Sequence, residues 1–125
     1  MRYHDFHLAG YAVSDFGATI VLDLVGPGES REMSRIQFAD VAAYHFVHTG
    51  GAIITDIAEV PLPEFVQQNG QQLADWCRLH GGYNHWSDDR AKYIATLEQG
   101  GYHAWTIDSA VGFEGFVIAK SVREA

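Results

Sequence analysis

The alternation of apolar and polar positions is strictest over residues 18–25. There Ala18, Ile20, Leu22 and Leu24 form one face, and Thr19, Val21, Asp23 and Val25 the other. A period of two marks a half-buried strand. Residues 3–13 repeat the pattern more weakly, with Phe6 and Leu8 pointing one way and Tyr3, Asp5, His7 and Tyr11 the other. Between the two strands, Ser14-Asp15-Phe16-Gly17 offers an Asp that can bond the backbone ahead and a Gly that accepts positive φ. So short a connection leaves no room for a crossover, which predicts an antiparallel hairpin. Gly26 to Glu32 reads as a polar loop. Residues 33–39 then read as a third strand, with Ile36 and Phe38 inward and Arg35 and Gln37 outward.

Residues 40–49 fit two periods. Val41, Tyr44 and His48 match helical spacing, while Tyr44, Phe46 and His48 alternate. Gly50-Gly51 is expected to break the chain before a β-branched strand over residues 52–60. Pro61 and Pro63 end that strand, and Pro63 suits a first helical turn. Phe65, Val66, Leu73, Trp76, Cys77 and His80 follow a helical stripe over residues 63–80, with Asn69-Gly70 predicting a kink. Gly81-Gly82 stops it. Ser87 reads as the N-cap of a second helix, residues 88–99, with Ala91, Tyr93, Ile94 and Leu97 inward. Two strands, 102–108 and 115–122, complete the chain. Helices segregated from strands predict an α+β fold. Its largely antiparallel sheet has five or six strands, and the two helices lie on one face, against Phe6, Ile20, Leu22, Leu24, Ile36 and Phe38.

The length, 125 residues, fits a single domain spanning residues 1–125, and 47% hydrophobic residues suffice for a core. Eight Lys+Arg against sixteen Asp+Glu give a net charge of −8, which argues against nucleic acid and against anionic membranes as partners. The one cysteine, Cys77, allows no intrachain disulfide. The first residues, interrupted by His4, Asp5 and His7, do not read as a signal peptide, and no run approaches the roughly 18 apolar residues of a membrane span. A cytoplasmic location is expected.

Seven histidines are the first candidates for chemistry: His4, His7, His45, His48, His80, His85 and His103. His4/His7 and His45/His48 have HxxH spacing, but residues three apart on a strand point to opposite faces. HExxH is absent, and no Cys/His spacing suits zinc, so neither metal nor cofactor is expected. His4-Asp5 lies in a strand, unlike the helical His-Asp phosphohydrolases. His85-Trp86-Ser87 has no second copy, unlike the two-histidine phosphoesterases. Cys77, on an apolar helical stripe, reads as a small hydrophobe rather than a nucleophile. Gly112-Phe113-Glu114-Gly115 lacks the basic residues of a nucleic-acid loop. No catalytic residue is assigned.

Charge placement is more informative. From Ile36 to Cys77 there is no Lys or Arg, yet there are five acids, Asp40, Asp56, Glu59, Glu64 and Asp75. Aromatics share the stretch: Phe38, Tyr44, Phe46, Phe65 and Trp76. Acids among aromatics suit a surface that steers and holds a basic protein, although a solvated acidic face over a core would look the same.

The opening strand His4-Asp5-Phe6-His7-Leu8, the hairpin to Ile20-Val21-Leu22-Asp23-Leu24, and the ending Ile107 to Gly112 with Gly115 to Lys120 together resemble small acidic bacterial immunity-type proteins. The resemblance implies a cytoplasmic α+β protein that binds and blocks a toxin, and it carries over no functional residue. Three readings follow. The first is a non-catalytic acidic module binding a basic protein. The second is a small enzyme or ligand-binding domain with a pocket of Tyr3, Asp5, His7 and Tyr11 beside Asp23. The third is a structural subunit that homodimerises through a sheet edge. Because the core is adequate and the histidine spacings are poor, the protein should fold without metal. Excess chelator is expected to leave its melting temperature unchanged in differential scanning calorimetry, and a drop of several degrees would contradict this.

Overall fold

The computed structural model describes residues 3–29 and 31–125. Its elements are β1 (Phe6–Ser14), a 3₁₀ turn (Asp15–Gly17), β2 (Thr19–Val25), β3 (Met33–Ala39), β4 (Ala43–Val60), α1 (Leu62–His80), α2 (Arg90–Gln99), β5 (His103–Ala119) and β6 (Ser121–Glu124). The strands form one sheet in the order β5-β4-β1-β2-β3-β6, and every pairing is antiparallel. The fold is α+β, as the segregated pattern predicts.

Lys120 alone separates β5 from β6, yet these strands stand at opposite ends of the sheet order. A flat sheet cannot satisfy that link, so the sheet curls into a half-barrel until its two ends meet. At the corner the Lys120 amide donates to the Ala39 carbonyl at 3.1 Å.

The curl produces two cores. Inside it, Phe6, Leu8, Ile20, Leu22, Leu24, Ile36 and Phe38 meet Ile54, Ile57, Trp105, Ile107, Val117 and Ala119 from the far wall of the same sheet. Outside it, Phe65, Val66, Leu73, Tyr93 and Leu97 of the helices cover Ala104, Phe116 and Ile118. The alternation of β5 assigns Val117 and Ala119 to the first core and Phe116 and Ile118 to the second. The strand face expected under the helices is therefore buried against the sheet itself, and the helices occupy the other face.

Five local expectations are corrected. Residues 40–49 belong largely to β4, and Gly50-Gly51 bends that strand rather than ending it; Gly51 has φ 78°. The two predicted final strands are mostly one, β5, which pairs with both halves of β4. No kink interrupts α1. Gly70 is buried inside it, and a Cβ there would lie 3.2 Å from the Arg90 guanidinium carbon, so the glycine lets the start of α2 come close. The α2 N-cap is Asp89, whose carboxylate accepts from the Lys92 amide at 3.2 Å, while Ser87 accepts from the Asp89 amide. Ala91, expected inward, is exposed; Tyr93 and Leu97, four apart, carry the buried face.

Where β4 bends, Gly112 of β5 sits opposite with φ 84°, and a Cβ on it would lie 2.9 Å from the Ala52 Cα. Left-handed backbone and backbone contact both oppose a side chain. Gly112→Ala should cost about 2–4 kcal/mol in urea denaturation. Gly10→Ala, with open space around its Cβ, should cost about 1 kcal/mol or less.

Candidate functional site: an aromatic cleft beside a split in the sheet

The ladder between β1 and β4 is short, pairing Phe6 with Ile54 and His7 with Ile53. Beyond it the register of β1 shifts between Leu8 and Gly10, and that of β4 between His48 and Ile53. The first shift is a bulge. Leu8 lies opposite Leu24 and Tyr11 opposite Leu22, so residues three apart on β1 share the inner face. Past this point β1 stays with β2 and the first half of β4 stays with β5. The split between them is bridged by side chains. The Tyr11 ring stands edge-on to Phe46 at 5.1 Å and tilts over His48 at 5.7 Å between centroids.

At the end of the split lies a cleft of about 510 Å³. Its walls are the Phe16–Ala18 turn, Val41–Phe46 at the start of β4, and Gln72, Leu73 and Trp76 of α1, with Tyr83 and Phe116 completing it. None of these side chains is a carboxylate, Lys or Arg. His45 stacks on Phe116 at 5.8 Å and Tyr44 packs beside Phe46 at 5.3 Å. Asp15, Asp40 and Asp75 each adjoin a lining residue in sequence.

Phe16 is the most unusual residue of the cleft. It is fully exposed, at 112% of its reference area. Asp15, Phe16 and Gly17 all have positive φ, of 54°, 58° and 92°. Left-handed backbone costs a residue such as Phe about 1–2 kcal/mol. The turn is pinned by Thr19 Oγ1 donating to the Asp15 carboxylate at 2.8 Å and by the Ala18 amide donating to the Asp15 carbonyl at 3.1 Å. The pinned turn therefore holds an aromatic ring out in water at the cleft rim, at a cost in backbone strain.

The other expected pocket is not assembled. Tyr3 is fully buried against Phe6, with its hydroxyl donating to the Glu124 carboxylate. Asp5, at φ 66°, precedes the strand and pairs with His4 at 3.0 Å. His7 is exposed, and the bulge turns Tyr11 to the inner side. Asp23 is paired with Arg35 at 2.8 Å.

The five acids do not form one patch either. Asp40 precedes β4 and Glu59 lies near its far end, where it pairs with His103 at 3.1 Å. Asp56 lies opposite Asp108 on the outer face, whereas Glu59 lies opposite the inward Trp105. Glu64 is in the first turn of α1, and Asp75 pairs with Arg78 at 3.1 Å. Of the five, only Asp40 and Asp75 neighbour a cleft-lining residue in sequence, and Asp75 itself lines a separate hollow with Arg78 and Asp88. His45 and His48 face opposite sides of β4, opposite Phe116 and Phe113. Among the described residues no three His, Cys, Asp or Glu side chains come together as a metal site.

Behind the cleft the Tyr83 and Tyr93 hydroxyls are hydrogen-bonded to each other. Burial, first, and the neighbouring phenol push the Tyr83 hydroxyl far above its ordinary range, and burial pushes Tyr93 up to about 12. Cys77 is buried. Its thiol is raised chiefly by burial, against a partly opposing hydrogen bond from the Tyr83 backbone, with Asp88 raising it further. These groups stay protonated and structural at neutral pH.

Reading the sequence by elements missed the cleft as a unit. Its signal was an aromatic, Phe16, inside a turn whose other residues all suit turns. No known protein family, curated protein or solved structure matches the chain.

The tyrosine pair gives a pH prediction. An unfolded phenol ionises near its model value of 10, whereas folded Tyr93 holds its proton to about 12. Their contribution is therefore intact below pH 10 and falls as pH rises between those values. Stability should drop over that window by up to about 1.4 kcal/mol per pH unit for each tyrosine. Tyr93→Phe should flatten the slope in urea titrations at stepped pH.

Proposed function

We propose that this is a non-catalytic acidic binding protein that masks a basic protein partner, in the manner of the immunity-type proteins its sequence resembles. The observation that carries this reading is the uncharged aromatic cleft with Phe16 held into solvent at its rim. Exposed aromatics beside a preformed apolar pocket are typical anchors of protein interfaces. Phe16 is fully and Trp76 about half exposed, and their rings would seat against a partner's apolar side chains. No Ser, Thr, Cys, Lys or carboxylate lines the cleft, and its Tyr83 hydroxyl is committed to Tyr93.

Charge supports the choice of partner. The chain carries −8, and Asp15 and Asp40 immediately precede the cleft-lining Phe16 and Val41. Negative potential around an apolar site speeds the approach of a positive protein and is screened over about 8 Å at physiological salt. This reading puts the steering on Asp15 and Asp40 rather than on the whole run from Asp40 to Asp75, in which Asp75 is paired with Arg78. One observation favours a second reading: about 510 Å³ lies within the range of small-molecule sites, so an aromatic metabolite is the alternative occupant.

The test uses the partner co-purified from the native host. Phe16→Ser and Trp76→Ala change exposed positions and should leave the melting temperature nearly unchanged. Each should weaken binding about tenfold or more, chiefly through faster dissociation. Asp15→Asn with Asp40→Asn keeps side chains that tolerate positive φ and should slow association and flatten its salt dependence. Reversing Asp56, Glu59 and Glu64 together should matter less. Normal binding by both aromatic variants would reject the cleft. A small aromatic molecule released on denaturation, with no protein recovered, would favour the second reading.

A further inference from the structure

We infer that the split between β1 and β4 is a strand-addition site, where an extended apolar segment of a basic protein pairs with the sheet. This rests on the binding reading above and specifies how the partner is held.

The two lips of the split are Gly10–Ser14 of β1 and Ala43–Thr49 of β4. Each is hydrogen-bonded on one side only, β1 to β2 and β4 to β5, because the ladder between them ends at His7 and Ile53. In an antiparallel strand alternate residues aim their N–H and C=O groups to opposite sides, so each lip offers a row of groups toward the opening.

Exposed edges are usually blunted by charge, proline or shortness. The nominal ends of this sheet obey that rule. β6 has four residues and carries Arg123 and Glu124, and β5 carries Asp108 and Glu114. The lips of the split do not obey it. Neither contains Asp, Glu, Lys, Arg or Pro. Beside the small Ala12 and Ser14, their exposed large hydrophobic side chains are β-branched or aromatic: Tyr11, Val13, Tyr44 and Val47 are 37–53% exposed. These residue types favour strand pairing.

Charge decides the occupant. A second copy would bring another −8 against the first. Asp15 follows the β1 lip and Asp40 precedes the β4 lip, and because the strands run antiparallel both acids stand at the open mouth of the split while the lips are neutral. An extended segment of about six residues, β-branched or aromatic, with Lys or Arg at the end that lies in the mouth, complements that arrangement. Main-chain bonds would supply affinity and alternate side chains specificity, one set toward the aromatic cleft.

The probe is a phage-displayed random dodecapeptide library selected on the full-length chain. Enriched peptides should show a short β-branched or aromatic stretch with Lys or Arg clustered at one end. Their binding should slow amide exchange at Tyr11–Val13 or Tyr44–Val47 in NMR. N-methylation at alternate peptide positions should weaken binding about tenfold each, through loss of a main-chain hydrogen bond; methylation between them should change it little. An empty selection, peptides bound as helices, or dimers of the chain whose contacts protect the same amides would each overturn the inference. If alternate methylation has no effect while Phe16→Ser and Trp76→Ala still abolish capture, strand addition fails and the cleft reading survives. If the alternation appears while both variants bind normally, the cleft reading fails and the split stands alone.

Discussion

One covalent constraint shapes the molecule: a single residue, Lys120, joins strands at opposite ends of the sheet order. Closing that gap forces the sheet to curl, and the curl brings the Phe6–Phe38 wall against the Ile54–Ala119 wall. The sheet thus supplies its own core, and the helices are displaced to the outside. β5 is paired along β4 and buried on both faces near its end, from Gly115 to Ala119, which leaves it little freedom.

A sheet that curls this sharply must absorb bending somewhere. β4 and β5 absorb it together, at Gly51 and Gly112, both in left-handed backbone and near each other across the ladder. β1 absorbs it at the bulge between Leu8 and Gly10. Bulges bend a strand and re-aim its side chains. Here the bulge has two effects. It turns Tyr11 inward, and it lies where β1 and β4 part company. The split and the cleft are thus consequences of closing the sheet at its other end.

The site is costly by local standards. Phe16 carries left-handed backbone and full exposure together, two unfavourable features with no packing in the isolated chain to offset them. Strain of that kind persists where the surroundings over-determine it and clusters at functional positions. The Asp15–Thr19 bond and the strands on either side provide that over-determination. The tyrosine pair and Cys77 behind the cleft are by contrast buried, protonated and packed, which gives the rim a rigid backing.

Local pattern determined much of this protein. Strict alternation in residues 18–25 marked β2 and its buried Ile20, Leu22 and Leu24, and the stripe from Phe65 to Cys77 marked α1. Both repeats are set by backbone geometry acting over a few residues, so they can be read without knowing the fold. Tertiary structure decided what those faces meet. Whether Ile20 packs on a helix or on Trp105's strand depends on closure between residues a hundred positions apart. Whether Gly50-Gly51 ends a strand or bends it depends on Gly112 across the ladder. Whether Tyr11 sides with His7 or with Leu8 depends on one extra residue in a bulge. The five acids were close in sequence yet scattered in space, because a long bent strand and a helix carried them apart. The cleft was legible only as an aromatic in a turn, because its walls come from a turn, a strand and a helix that meet only once the sheet has closed.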